Sequence, residues 1–148
     1  MPMKTYRVVH NGVEYTRRTE RIYTHLVLVR RDYEAELKSQ ILMARERAWD
    51  DHPFFVREAN PQTRVYKDIT PETLALYEHA ASLTREQFAD EQGEQARARV
   101  EERRAKGVFD TLGALTWCGR PDLAMKEEAK ARATGYWAEV VVLPVPQP

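Results

Sequence analysis

Glu20–Arg31, ERIYTHLVLVRR, is the stretch on which the fold turns. Aliphatic and β-branched residues dominate it, which favours an extended backbone. Strand alternation puts Ile22, Thr24, Leu26 and Leu28 on one face and Tyr23, His25, Val27 and Val29 on the other. Both sets are mostly apolar. A strand apolar on both faces belongs in the middle of a sheet, with cover above and below.

Upstream, TYRVVHNGVEYT places Asn11-Gly12 between two strand-like runs. Both residues tolerate positive φ, so this is a strong hairpin signal. Together with Glu20–Arg31 it predicts a three-stranded meander. Near the other end, Ala114–Cys118 and Tyr136–Leu143 read as strands around a helix from Pro121 to Thr134. A helical connection between neighbouring strands predicts a parallel βαβ unit. The expected fold is therefore α+β: a mixed sheet of about five strands in a single domain over residues 1–148, with helices mainly on one face. The alternative is two small sheets, with the middle helices forming a separate bundle. The tail PVPQP lacks the amides to continue a sheet and is expected to be extended.

Between these ends the pattern is helical. Asp32 is placed to cap a helix whose stripe is Leu37, Ile41, Leu42, Ala44, Ala48 and Trp49, ending near Asp50 before Pro53. FFVRE and TRVYKDI, flanking Ala59-Asn60-Pro61-Gln62, read as a short second hairpin. Thr70-Pro71-Glu72 opens a helix with cap, proline and acid in their favoured places, and buries Leu74, Tyr77, Ala81 and Leu83. Thr84 and Gln87 have capping-box spacing ahead of a helix from Arg85 to Lys106. That helix is very polar. Beyond Phe88 it offers mainly Ala96, Ala98 and Val100 to a core, so it packs on a narrow seam, stands in solvent or meets a partner. Gly107 is its stop.

Composition bounds the function. With 43% hydrophobic and 31% charged residues the chain should fold and stay soluble. No apolar run reaches the ~18–20 residues of a membrane span, and the N-terminal residues lack a signal-peptide h-region. The lone Cys118 fits a reducing cytoplasm. Lys/Arg and Asp/Glu balance at 23 each, but unevenly. Residues 1–31 hold seven bases against two acids, and residues 32–99 hold nine against fourteen. That distribution excludes a uniformly basic nucleic-acid binder and a uniformly acidic mimic of one, and leaves one basic face.

No catalytic signature is present. Cys118 sits near a helix start that would activate a thiol, but no histidine accompanies it locally. Asp50-Asp51-His52 reads as a solvated acidic helix end, since the other metal-binding residues lack zinc spacing. His10 and His25 are not followed by the Thr or Ser of paired-histidine phosphoesterases. Gly119 and Arg120 form a possible anion turn, weakened by Pro121, which lacks an amide, and by the charge of Asp122.

The binding candidates are Arg7, Arg17, Arg18, Arg21, Arg30 and Arg31 with Tyr23, and Arg103 and Arg104 on the polar helix. Arginine meets carboxylate or phosphate, and tyrosine can stack a base. The same arginines can instead guard sheet edges or pair with the acidic middle segment. RIYTHLVLV and LTWCGRPDLA resemble stretches of small uncharacterised accessory proteins of phages and bacterial mobile elements. That resemblance implies a compact protein that binds a host or defence complex. The expected function is non-enzymatic binding of another protein or complex, with no cofactor and no metal. The alternatives are single-stranded nucleic acid, a second copy of the chain, or a small ligand at the Cys118–Arg120 turn.

Overall fold

The computed structural model describes residues 2–148. In chain order it contains β1 (Lys4–His10), β2 (Val13–Thr19), β3 (His25–Arg31), α1 (Tyr33–Ala59), α2 (Pro71–Ala81), α3 (Arg85–Ala105), a 3-10 turn (Val108–Asp110), β4 (Gly113–Cys118), α4 (Pro121–Ala133) and β5 (Trp137–Pro144). The chain divides into two compact units, one formed by residues up to Ala35 with Arg104–Pro148, the other by Glu36–Arg103.

The protein is α+β, but the strands form two antiparallel sheets and not one mixed sheet. β1 pairs only with β2, so the meander ends after two strands; Asn11 (φ 51°) and Gly12 (φ 79°) make the tight turn that their identities predict. The second sheet has the order β4-β3-β5, with both outer strands antiparallel to β3. β4 and β5 are therefore parallel to each other but separated by β3. The expected βαβ unit is split by the very strand that the sequence places centrally.

The two-sided burial of β3 explains the arrangement. Leu26 and Leu28 face Tyr6, Val8, Tyr23 and Val145. Val27 and Val29 face Cys118, Ala124, Ala131 and Val140. The hairpin thus covers one face of the sheet and α4 the other. Tyr23 joins the Leu26 side and Ile22 is exposed, reversing the expected alternation, because the strand begins only at His25. The tail also departs from expectation. Val145 donates to the Thr24 carbonyl at 2.8 Å and is buried in the core.

In the second unit, α1 does not stop at Pro53 but runs 27 residues, about 40 Å at ~1.5 Å per residue. The FFVRE–TRVYKDI hairpin does not form, since its first half is helix. Proline inside a helix removes one amide and crowds the carbonyl four residues back. That carbonyl belongs to Trp49, and Arg85 Nε donates to it at 2.6 Å while the guanidinium lies 4.4 Å from the indole centroid. Continuing the helix rotates the buried stripe away from Leu42 and Trp49, which are about half exposed, onto Ala48, His52 and Phe55. Asp50-Asp51-His52 is consequently mid-helix. His52 is buried, and its Nε2 donates to the carbonyls of Ala80 (3.0 Å) and Leu83 (2.9 Å).

α2 and α3 start as read. Thr70 accepts from the Thr73 amide, and Thr84 and Gln87 exchange reciprocal capping bonds. The buried residue near the end of α2 is Ala80, with Ala81 exposed. α3 packs on a narrow seam of Phe88, Ala89, Gly93, Ala96 and Val100. Its antiparallel register against α1 is marked by Arg103–Glu36, Gly93 beside Arg45 and Ile41, Asp90–Arg45 and Arg85–Trp49. At the C-terminal end of α1, the buried Glu58 carboxylate accepts from the amides of Val65 and Tyr66 at 3.1–3.2 Å and pairs with Arg57. Burial alone pushes its pKa up, but those amides and Arg57 outweigh it and hold the carboxyl below its ordinary value.

Two outcomes are expected. Arg85→Ala should lower stability by about 0.5–1.5 kcal/mol, because it strips the protein donor from a carbonyl that Pro53 leaves without one and leaves water to replace it. In a Pro53→Ala background the loss should shrink, since alanine restores the helical amide; additive values in a double-mutant cycle from urea melts would contradict this account. Glu58 contributes stability that is complete above the ordinary carboxylate range and is lost as pH falls through its depressed folded value. Glu58→Gln should lower Tm at neutral pH and flatten the acid limb of the stability profile.

Candidate functional site

The arginines of the first unit separate by strand period. Tyr6 stands opposite Arg17 and Val8 opposite Tyr15, and cross-strand partners share a face. Since Tyr6 and Val8 are buried, Arg17 lies on the inner face of the hairpin, where its guanidinium sits 5.4 Å from the Tyr23 ring centroid. Arg18 and Arg7 lie on the outer face. Arg7 pairs with Glu14 at 2.9 Å. Arg30 reaches Glu139 at 3.3 Å and the Phe109 carbonyl at 3.4 Å. Arg103 is held by the buried Glu36 at 2.8 Å, and Arg104 stacks 4.0 Å from the Tyr33 centroid.

Arg17 and Arg21 come together. Arg21 is fixed through its backbone: its amide donates to the Thr19 hydroxyl and its carbonyl accepts from Tyr6 Oη, both at 3.1 Å. With Tyr23, Leu115, Thr116 and Trp117 the two arginines line a cavity of about 320 Å³. Among the described residues no carboxylate lies within 4 Å of Arg17, Arg18 or Arg21. The floor of the cleft is β4, an edge strand whose Gly113, Ala114 and Leu115 are exposed. Leu115 is an extra residue in the pairing with β3, a bulge that turns the edge. Arg31 lines a second cavity of about 320 Å³ beside β4, with Val29, Val108 and Trp137. Sequence reasoning picked the arginines but missed Trp117 and the β4 backbone, which reach the cleft only through the tertiary fold.

The turn after β4 has a different character. Cys118 is buried, and burial followed by the charge of Glu127 raises its pKa, against a smaller lowering from Thr116. A thiol held protonated is a poor nucleophile. A Cβ on Gly119 would lie 2.9 Å from the Ile22 carbonyl oxygen, so the glycine permits a close backbone approach. Arg120 is 3.4 Å from Asp122, which answers its charge within the turn. Among the described residues no group of three His, Cys, Asp or Glu side chains could hold a metal ion. No helix of the described chain is long and apolar enough to cross a membrane.

A larger cavity of about 420 Å³ lies in the second unit, lined by Leu42, Arg45, Glu46, Trp49, Asp50 and Ala89. Its two strongest recognition groups are already engaged, Arg45 by Asp90 and Trp49 by Arg85. The cleft of Arg17 and Arg21 is the better supported site. Comparison with protein-family models, curated proteins and solved structures yields no match, so the functional reading rests on this geometry.

The thiol's environment has a direct consequence. Cys118 should react with a disulfide reagent far more slowly in the native protein than in urea at the same pH. Equal rates would contradict its burial. Gly119→Ala should lower Tm through the clash with Ile22, whether or not an anion is present.

Proposed function

We propose that this chain is a non-enzymatic binding protein that takes an acidic segment of another protein into the cleft of Arg17 and Arg21. The observation that carries the reading is the pair of guanidinium groups, free of carboxylate partners among the described residues, over an exposed strand edge. Arginine forks match carboxylates in two-point contacts, and the cleft leaves them within reach of solvent.

The same geometry favours protein over single-stranded nucleic acid. Tyr23 is 6% exposed and covered by Arg17, so its ring is not presented for a base to stack on. At the turn after β4, the buried Cys118 with its raised pKa is a poor nucleophile, which supports a binding reading over a chemical one there.

Fluorescence anisotropy with a glutamate-rich peptide and a single-stranded oligonucleotide tests this. The peptide should bind, weaken with salt, and lose at least about tenfold in affinity in Arg17→Glu/Arg21→Glu. Arg18→Glu, on the other face of the hairpin, should change little. Tighter binding of the oligonucleotide, or indifference to the double reversal, would overturn the reading.

A further inference from the structure

The sheet has a second edge, β5, and its hydrogen-bonding pattern is self-complementary. The phase of the ladder is fixed by two bonds. Val145 donates to the Thr24 carbonyl beside the His25/Pro144 pair, which makes that pair the wide, non-bonded kind. Alternation then makes Val27/Val142 and Val29/Val140 wide as well. Residues in wide pairs turn their backbone groups away from their neighbour, so Val140, Val142 and Pro144 direct theirs at the open side of β5. Arg132 confirms the phase independently, since its guanidinium donates to the Val140 carbonyl at 2.9 Å.

From these contacts we infer that β5 pairs with β5 of a second copy, antiparallel about a two-fold axis at Val142. Val142 and the partner's Val142 then exchange two amide-to-carbonyl bonds. Val140 and Pro144 lie two residues either side of the axis, so each Val140 faces the partner's Pro144. The Val140 amide donates to the proline carbonyl, giving two more bonds. Proline has no amide to return to the Val140 carbonyl. That carbonyl is the one Arg132 already satisfies. The missing donor and the supplied donor thus fall on positions that the axis exchanges.

An edge built only to repel other strands gives no reason for that coincidence. Edge protection needs a charge, a bulge or a proline somewhere along the strand. Here the bulge at Ala138 and the charge of Glu139 lie outside the paired stretch, its one proline is Pro144 at the end, and Val140–Leu143 between them is regular. Val141, Val142 and Leu143 are partly exposed and carry no charge. Pairing covers apolar side chains on both faces of the strand, in one continuous sheet ordered β4-β3-β5-β5-β3-β4.

Light scattering on the full chain over ~10 µM to ~500 µM tests this. Wild type should approach twice 17.3 kDa as concentration rises. Val142→Pro removes an amide that points away from β3, so it should keep the folded circular-dichroism spectrum and remain monomeric. Arg132→Ala should leave the fold intact and raise the dissociation constant about tenfold, and it decides the matter should Val142→Pro fail to fold. Exchange of the Val142 amide should slow as wild-type concentration rises. A monomer throughout the range, a dimer indifferent to Arg132→Ala, or a folded Val142→Pro that still dimerises would overturn the inference.

Discussion

β3 must be buried on both faces, and the architecture of the first unit follows from that requirement. Four consecutive residues, Leu26 to Val29, are at most 7% exposed. Each large aliphatic side chain stabilises by about 1.5–3 kcal/mol when fully removed from water. Two layers are therefore needed, and the chain supplies unlike ones. The hairpin offers Tyr6 and Val8 to Leu26 and Leu28, while α4 offers Ala124 and Ala131 to Val27 and Val29. If the hairpin extended the sheet as a meander, its inner residues would leave the face they cover. Layering keeps them there, at the cost of open strand edges.

The centrality of β3 was legible because alternation needs only the local sequence. Its neighbours were not. The sequence between β2 and β3 reads equally well as a meander turn or as a crossing between layers, and Tyr23 decides for the second by burying beside Tyr6, with ring centroids 5.7 Å apart. Pro53 misled for a related reason. Proline ends helices when nothing answers the carbonyl it strands, and the answering group, Arg85, lies 32 residues away. No window short enough to show helical periodicity contains both. Local caps needed no such partner, and Thr70, Thr84 and Gln87 could be read directly.

The basic face was legible in composition but not in grouping. Period-2 alternation already separates Arg17 from Arg18 once β2 is accepted as a strand, so that much was available. What the sequence could not supply was which arginines were spoken for. Glu139 finds Arg30 only because β5 lies against β3, and Glu36 finds Arg103 only because α1 and α3 run antiparallel. Charge totals by segment cannot register such pairings, because the acids and bases that cancel lie in distant segments.

A three-stranded sheet has two edges, and this chain has given them different chemistry. β4 is bulged at Leu115 and flanked by arginines, which suits a partner unlike itself. β5 is regular between Glu139 and Leu143 and carries its proline and its arginine-capped carbonyl at positions related by a two-fold axis, which suits a copy of itself. The two proposed uses are compatible. Pairing through β5 consumes the inner edges and leaves a β4 edge, with its Arg17–Arg21 cleft, at each end of the joined sheet. A partner bearing two acidic segments would then meet two clefts at once, and a weak single contact would become a strong double one wherever the spacing allows both. Edge pairing and cleft charge would in that case act on the same quantity, the residence time of the partner.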